Sequence, residues 1–106
     1  MRRAMSDSCH ITVTAVGDRH LVAAISGELD LHASPSVVAA LRPHLADHVT
    51  VDLAEVTFLD SSALQCLLHL HTEALASGGR LTAGTLSPVV RRVLELCAFD
   101  TTLFSP

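Results

Sequence analysis

The stretch VTVDLAEVTFLDSSALQCLLHL, residues 49–70, changes its hydrophobic period at one point, and this change constrains the fold more than any other feature of the sequence. Up to Phe58 the apolar residues alternate or run together, as in a buried strand. After Asp60 the leucines recur at spacings of three and four, as on one face of a helix. A strand that passes directly into a helix is the building unit of an α/β domain.

The rest of the chain repeats such units. Strands are predicted at 10–16, 20–27, 49–53, 80–86 and 101–104, with residues 56–58 extending the third after a short break at Ala54-Glu55. Helices are predicted from Ser34 to about Arg42, over 61–77 up to Gly78-Gly79, and from Ser87 through Cys97. Two of these helices begin with Ser-Pro, which is typical of a serine N-cap followed by proline at the first helical position. Pro43 should kink or end the first helix.

The element order β-β-α-β-α-β-α-β predicts an α/β fold with helices packed on a mixed sheet. An N-terminal antiparallel hairpin, closed by a turn at Gly17-Asp18, is followed by parallel βαβ units. A chain of 106 residues suits one domain, residues 1–106, in which residues 1–8 are expected to form a flexible N-terminus.

Composition excludes several classes of function. The formal net charge is −4 and the chain has neither Trp nor Tyr, so a direct nucleic-acid interface is not expected. All seven basic residues are arginines, which together with the many Ala, Leu and Val residues indicates a bacterial genome rich in GC.

The three cysteines and the apolar runs exclude other classes. Cys9, Cys66 and Cys97 are widely spaced and form no CxxC pair, which argues against a disulfide framework or a zinc knuckle. No signal peptide is recognisable, and the longest apolar run is too short to cross a bilayer. We therefore expect a cytoplasmic protein with no membrane insertion.

Three polar residues stand together where the central strand meets the long helix. Ser62 and Gln65 match the S-x-x-Q capping box, and Asp60 is equally suited to be the N-cap. One cap needs one such residue, so Ser61 and Ser62 are in surplus. On a helical wheel they share the wet face with Gln65 and His69.

A helix N-terminus presents unpaired N–H groups and the positive end of the helix dipole, so it accommodates an anion. Phosphorylation of an exposed serine there would add about −1.5 to −2 charges beside Asp60. Such a charge would disturb an acidic or apolar surface docked on the helix. The corner therefore has two open interpretations, a helix cap and a phosphorylation switch.

At these residues the chain resembles the STAS domain of anti-sigma factor antagonists. The segment VTVDLAEVTFLDSSALQCL (49–67) follows the family's VxLDLSxVxFxDSSGLGxL pattern, and ISGELDLHASPSVVAAL (25–41) is similar to its GELD corner. The order of strands and helices agrees with the family from about residue 10 to about residue 104.

The resemblance implies a function. Such proteins bind an anti-sigma factor that is a serine kinase, and this releases a sigma factor. The kinase uses ATP to phosphorylate the antagonist, which then lets go, and a serine phosphatase restores it. Carried onto this chain, Ser61 is the phosphoacceptor, and the surrounding switch and partner-binding residues are Asp60, Ser62, Glu28, Asp30, Gln65 and His69. The antagonist is a substrate and not an enzyme, and no cofactor or metal is implied.

The chain departs from the family pattern at two glycine positions and at its C-terminal end. Ala63 and Gln65 stand where the family has glycine, and Gln65 adds bulk to the exposed helix face, which puts kinase docking in doubt. The chain ends at Pro106, where many relatives continue into a further helix, so we expect either exposed apolar surface near Leu103 and Phe104 or a less stable fold.

Other interpretations have less support. His44 and His48 have the spacing of a metal pair, but Pro43 interrupts their helix and a third ligand is missing. A nucleophilic hydrolase would need a base held on Ser61, and the GxSxG elbow is absent. The alternatives that stay open are a STAS accessory subunit of a lipid or anion transport complex and a scaffold that is not phosphorylated.

Overall fold

The computed structural model describes the backbone of residues 2–5 and all of residues 9–96. The described elements are the strands β1 (Arg2–Met5), β2 (Cys9–Gly17), β3 (His20–Leu29), β4 (His48–Leu59) and β5 (Arg80–Leu86), and the helices α1 (Ser34–Leu41), α2 (Ser61–Ala76) and α3 (Pro88–Leu96). The strands form one sheet in the order β1-β2-β3-β4-β5. The first two pairings are antiparallel and the last two parallel, which confirms the predicted mixed α/β sheet.

The edge strand β1 was not predicted. The sequence predicts a flexible N-terminus over residues 1–8, whereas Arg2–Met5 pairs with β2 over the register Arg2↔Val13 to Met5↔His10. Its RRAM sequence has no alternation that would indicate a strand, so the pairing depends on the neighbouring strand. Residues 1 and 6–8 lie outside the described residues.

Helix α1 begins differently from the prediction. Ser34 is the first helical residue and not the N-cap, and the preceding turn is held by Asp30, whose Oδ1 accepts from the Ala33 N–H at 3.0 Å. The end agrees with the prediction: α1 stops at Leu41 and continues as a 3₁₀ turn over Arg42–His44, because Pro43 cannot donate to the α-helical ladder.

Strand β4 is continuous where the sequence predicted a break. Its pairing with β3 gains one extra residue between Asp52 and Glu55 and another between Val56 and Phe58. These are β-bulges, which bend a strand without ending it. Each bulge restores the core-facing direction, so Val56 and Leu59 are buried although the alternation is broken.

One face of the sheet is covered by the helices. Alternate strand residues pack there against the apolar faces of α1, α2 and α3, forming a core that includes Ile11, Ile25, Val37, Val51, Leu67, Leu70, Leu81 and Val90. The parallel strands β3 and β4 end beside each other at one rim of this sheet, with Leu29 paired to Leu59. The two motifs found in the sequence therefore meet at this rim.

Helix α3 starts as predicted. Ser87 accepts from the Val90 N–H through Oγ, which is a serine cap before Pro88. The predicted continuation to Cys97 and the predicted strand at 101–104 lie outside the described residues.

Candidate functional site

Asp60 caps helix α2. It has extended backbone angles (φ −103°, ψ 172°), and its Oδ1 accepts from the Ala63 N–H at 2.8 Å. This is the standard geometry of an aspartate N-cap, which satisfies one of the free donors of the first turn. Of the two caps that the sequence allowed, Asp60 is therefore the one used.

Ser61 and Ser62 are left free for another role. Both side chains are exposed, and within residues 9–96 neither hydroxyl has a hydrogen-bond partner. They occupy the first two positions of α2, next to the N–H groups of its first turn. The positive end of the helix dipole favours negative charge at this place.

The same aspartate joins the two sequence motifs. Asp60 Oδ2 accepts from the Leu31 N–H at 3.1 Å, and the Asp60 N–H donates to the Leu29 carbonyl at 3.3 Å. Leu31 lies in the loop between β3 and α1, directly after the GELD segment. The loop and the N-terminus of α2 are thus held together by one side chain.

The two acidic residues of the GELD segment have different surroundings. Asp30 is half-buried and holds the turn before α1, since its backbone carbonyl accepts from the N–H groups of Ala33 and Ser34 as well as from the Ser34 hydroxyl. Glu28 is exposed, lies beside Phe58 in the sheet and has no partner within the described part of the chain. Of the two, Glu28 is the carboxylate available to a partner.

Gln65 and His69 lie on the exposed face of α2, as predicted. Together with Ser61, Ser62 and the partly buried Cys66 they line a shallow, open depression. Burial raises the pKa of the Cys66 thiol, which keeps it protonated and a poor nucleophile. Cys66 lies on the boundary between the buried and the exposed face of α2.

An apolar groove beside this depression was not predicted. It runs along α1 and is lined by Leu31, Pro35, Val38, Ala39 and Pro43, with Arg42 at one end. Leu31 is 61% exposed. The one sequence signal for the groove was this lone leucine after the strand. Arg42 is engaged in a two-pronged ion pair with Glu73 of α2, at 2.8 and 3.2 Å.

Three further histidines, His44, His48 and His71, do not line this depression. His71 donates from Nδ1 to the Leu81 carbonyl at 2.9 Å, as expected for a partly buried histidine. His44 lies in the 3₁₀ turn and His48 at the start of β4, so they do not share a helix face. No group of three metal-ligating side chains occurs within the described residues. No helix in that part of the chain has the length and hydrophobicity needed to cross a membrane.

Comparisons with known proteins agree with this architecture. The family model described as "Mlab, STAS domain" matches residues 3–105. An anti-sigma F factor antagonist of Paenibacillus polymyxa is 30% identical over 80 residues, which cover 72% of this chain and 68% of the relative.

Two solved structures are similar as well. An anti-sigma factor antagonist from Mycobacterium paratuberculosis has a TM-score of 0.71 and 28% identity, covering 93% of this chain and 86% of that one. The anti-sigma factor antagonist SpoIIAA in its unphosphorylated form has a TM-score of 0.70 and 25% identity, covering 83% and 80%.

Proposed function

Because the chain belongs to the STAS domain family, we propose that it acts as a cytoplasmic anti-sigma factor antagonist that is switched off by phosphorylation of Ser61. The observation that carries this proposal is the exposed Ser61 hydroxyl, which follows the Asp60 cap and is free of any partner within residues 9–96. The named relatives support it, since they are anti-sigma factor antagonists.

In the unphosphorylated state, the chain binds a serine-kinase anti-sigma factor and so releases a sigma factor. The contact surface comprises Ser61, Ser62, Gln65 and His69 on α2, and Glu28 at the neighbouring strand end. Asp60 and Asp30 shape this surface by holding the two turns that present it.

In the switching step, the kinase transfers the γ-phosphoryl group of ATP to Ser61 Oγ. The new O–P bond forms as the bond to ADP breaks, and the serine proton passes to a base of the kinase. The chain is the substrate in this step, and it supplies an accessible hydroxyl at a helix N-terminus that tolerates the added charge. A serine phosphatase hydrolyses the ester and restores the antagonist.

Phosphoryl transfer is tested with the purified chain, radiolabelled ATP and the serine-kinase anti-sigma factors of the source organism. We expect label on Ser61, its loss in Ser61→Ala and its retention in Ser62→Ala, which removes the adjacent hydroxyl as a matched control. Label that persists in Ser61→Ala would contradict the assignment.

Intact-mass spectrometry of the chain isolated from its own cells is the second test. A phosphate mapped to Ser61 is the expected result. Binding to a permease or ATPase subunit, with no phosphate under any growth condition, would instead favour an accessory subunit of a transport complex.

A further inference from the structure

Asp60 divides its carboxylate between two elements that are distant in sequence. Oδ1 accepts from Ala63 in the first turn of α2, and Oδ2 accepts from Leu31 in the loop between β3 and α1. A charged hydrogen bond of this kind is stronger than one between neutral groups. The side chain next to the candidate phosphoacceptor therefore also fixes the backbone of the β3–α1 loop.

The loop residue held in this way belongs to the exposed surface. Leu31 is 61% exposed and lines the apolar groove along α1 together with Pro35 and Val38. The residues that follow Leu31 are held independently, because Asp30 binds the N–H groups of Ala33 and Ser34. The contact with Asp60 thus acts on Leu31 itself.

A phosphate on Ser61 would compete with Asp60. It brings about −1.5 to −2 charges and three acceptor oxygens to the position directly after the cap. Both anions seek the N–H groups of the first turn of α2, and like charges at this separation repel each other. This repulsion weakens the hydrogen bonds of Asp60. The bond to the Leu31 N–H is the one expected to break, because Leu31 lies outside the first turn of α2 and the helix dipole does not favour a negative charge there.

We propose that Asp60 is a latch, and that phosphorylation of Ser61 releases its hold on the Leu31 N–H. This inference rests on the proposed function, since it takes Ser61 as the phosphoacceptor. Phosphorylation then changes the partner-binding surface in two places: it adds charge at Ser61, and it frees the backbone of Leu31 at the end of the apolar groove.

Amide hydrogen exchange measured by NMR tests the latch without a kinase or a partner protein. The unmodified chain is compared with a chain that carries phosphoserine at position 61, incorporated during translation. We expect the Leu31 amide to exchange about tenfold faster in the phosphorylated chain, as for loss of a hydrogen bond to a charged group.

Two other amides serve as internal references. The Ala63 N–H should stay protected, because either the aspartate or the phosphate accepts from it. The Val90 N–H, which donates to Ser87 Oγ at 3.3 Å in the cap of α3, should not change. Faster exchange at all three positions would indicate general loosening and would overturn the proposal.

The variant Asp60→Asn separates the cap from the latch. Asparagine is as good an N-cap as aspartate, but Ala63 and Leu31 donate to different oxygens of Asp60. The amide NH2 group that replaces the second oxygen cannot accept from the Leu31 N–H. We expect fast exchange of Leu31 in this variant without any phosphate, and no further change with phosphoserine at position 61. A phosphate effect on Leu31 that survives Asp60→Asn would overturn the latch.

The result is independent of the labelling test. A chain that no kinase labels on Ser61 contradicts the proposed function. An unchanged Leu31 amide in the phosphoserine-containing chain contradicts the latch alone.

Discussion

At the scale of single residues, the corner after β4 assigns its polar groups to two tasks. Both carboxylate oxygens of Asp60 accept backbone hydrogen bonds, one from Ala63 and one from Leu31. Ser61 and Ser62 are exposed and make no such bonds within residues 9–96. Because Asp60 makes the cap of α2, the Ser61 hydroxyl is not needed for the fold. Ser61 can therefore be modified without loss of the helix start.

The first prediction concerns partner binding. Ser61→Asp should weaken binding to the anti-sigma factor by about 2 kcal/mol or more, as for an unpaired charge placed in an interface. Thr14→Asp adds the same charge at an exposed position of β2, outside the proposed contact surface, and should leave the affinity unchanged. Calorimetric titration measures both. Equal affinities of Ser61→Asp and the unmodified chain would favour a scaffold that is not switched by phosphorylation.

The second prediction compares the two Ser-Pro helix starts. Ser87 Oγ donates to the Val56 carbonyl at 2.6 Å and accepts from the Val90 N–H, and the side chain is buried. Ser87→Ala should lower the free energy of unfolding by about 2 kcal/mol, because a cap is lost and a buried carbonyl loses its donor. Urea denaturation measures the change.

Ser34→Ala is the matched control for this prediction. The Ser34 hydroxyl donates to the Asp30 carbonyl, which also accepts from two backbone N–H groups and so keeps its partners. The loss should be about 0.5 kcal/mol or less. A loss as large as that of Ser87→Ala would show that the hydroxyl at the start of α1 matters more than its contacts indicate.

These two serines show what local sequence can predict. Both Ser-Pro pairs correctly predict a helix start, because proline is tolerated in the first turn of a helix, where its missing N–H is not needed. The cap itself is decided by the preceding backbone, which Asp30 controls in one case and not in the other. The contact of Asp60 with Leu31 was likewise not predictable, since it joins residues 29 positions apart in the chain.

At the scale of elements, β4 determines where the site lies. Its two bulges shift the strand so that Val56 and Leu59 stay in the core and Asp60 emerges at the rim beside Leu29. The hydrophobic period predicts the strand, but it also predicts a break at Ala54-Glu55, where the structure has the first bulge. An extra residue and a true interruption disturb the alternation in the same way. Strand β1 was not predicted, because its own sequence has no strand-like alternation and it is recognisable only by its pairing with β2.

The third prediction concerns the connection from α2 to β5. A Cβ on Gly79 would clash with the backbone carbonyl oxygens of Leu45 and Asp47. Gly79→Ala should therefore destabilise the fold by about 3 kcal/mol, since two backbone segments have to move apart. Thermal and urea unfolding measure this loss.

Gly78→Ala is the control at the neighbouring position. Gly78 has a φ of +84°, but a Cβ at this position would point into open space, so the cost is conformational and should be about 1 kcal/mol. Equal losses of unfolding free energy in the two variants would contradict the prediction. They would mean that residues 45–47 move away from the added methyl group at little cost.

At the scale of the whole molecule, the sheet carries different chemistry at its two ends. The candidate site lies where β3 and β4 end. The opposite end, where β3, β4 and β5 begin, carries the neighbouring residues His20, His48 and Arg80. The two imidazole rings stack with a centroid distance of 4.4 Å, and each ring binds a threonine hydroxyl, His20 that of Thr50 and His48 that of Thr82.

The fourth prediction follows from this second end. The pKa of His48 is lowered below its ordinary value. Burial is the largest cause, and the nearby positive charges of His20 and Arg80 add to it. The unfolded chain therefore binds a proton at a higher pH than the folded chain does. Folding stability should fall as the pH is lowered through the unfolded value of about 6.5, until His48 is protonated in the folded state as well.

Urea denaturation at about pH 7.5 and about pH 5.5 measures this dependence. In His48→Gln the loss on acidification should be smaller, because the group that resists protonation is gone while a polar side chain remains near Thr82. His10→Gln removes an exposed ring on β2 and is the control for deleting one histidine. If His48→Gln and the unmodified chain lose the same stability between these two pH values, the lowered pKa of His48 does not set the response to acid.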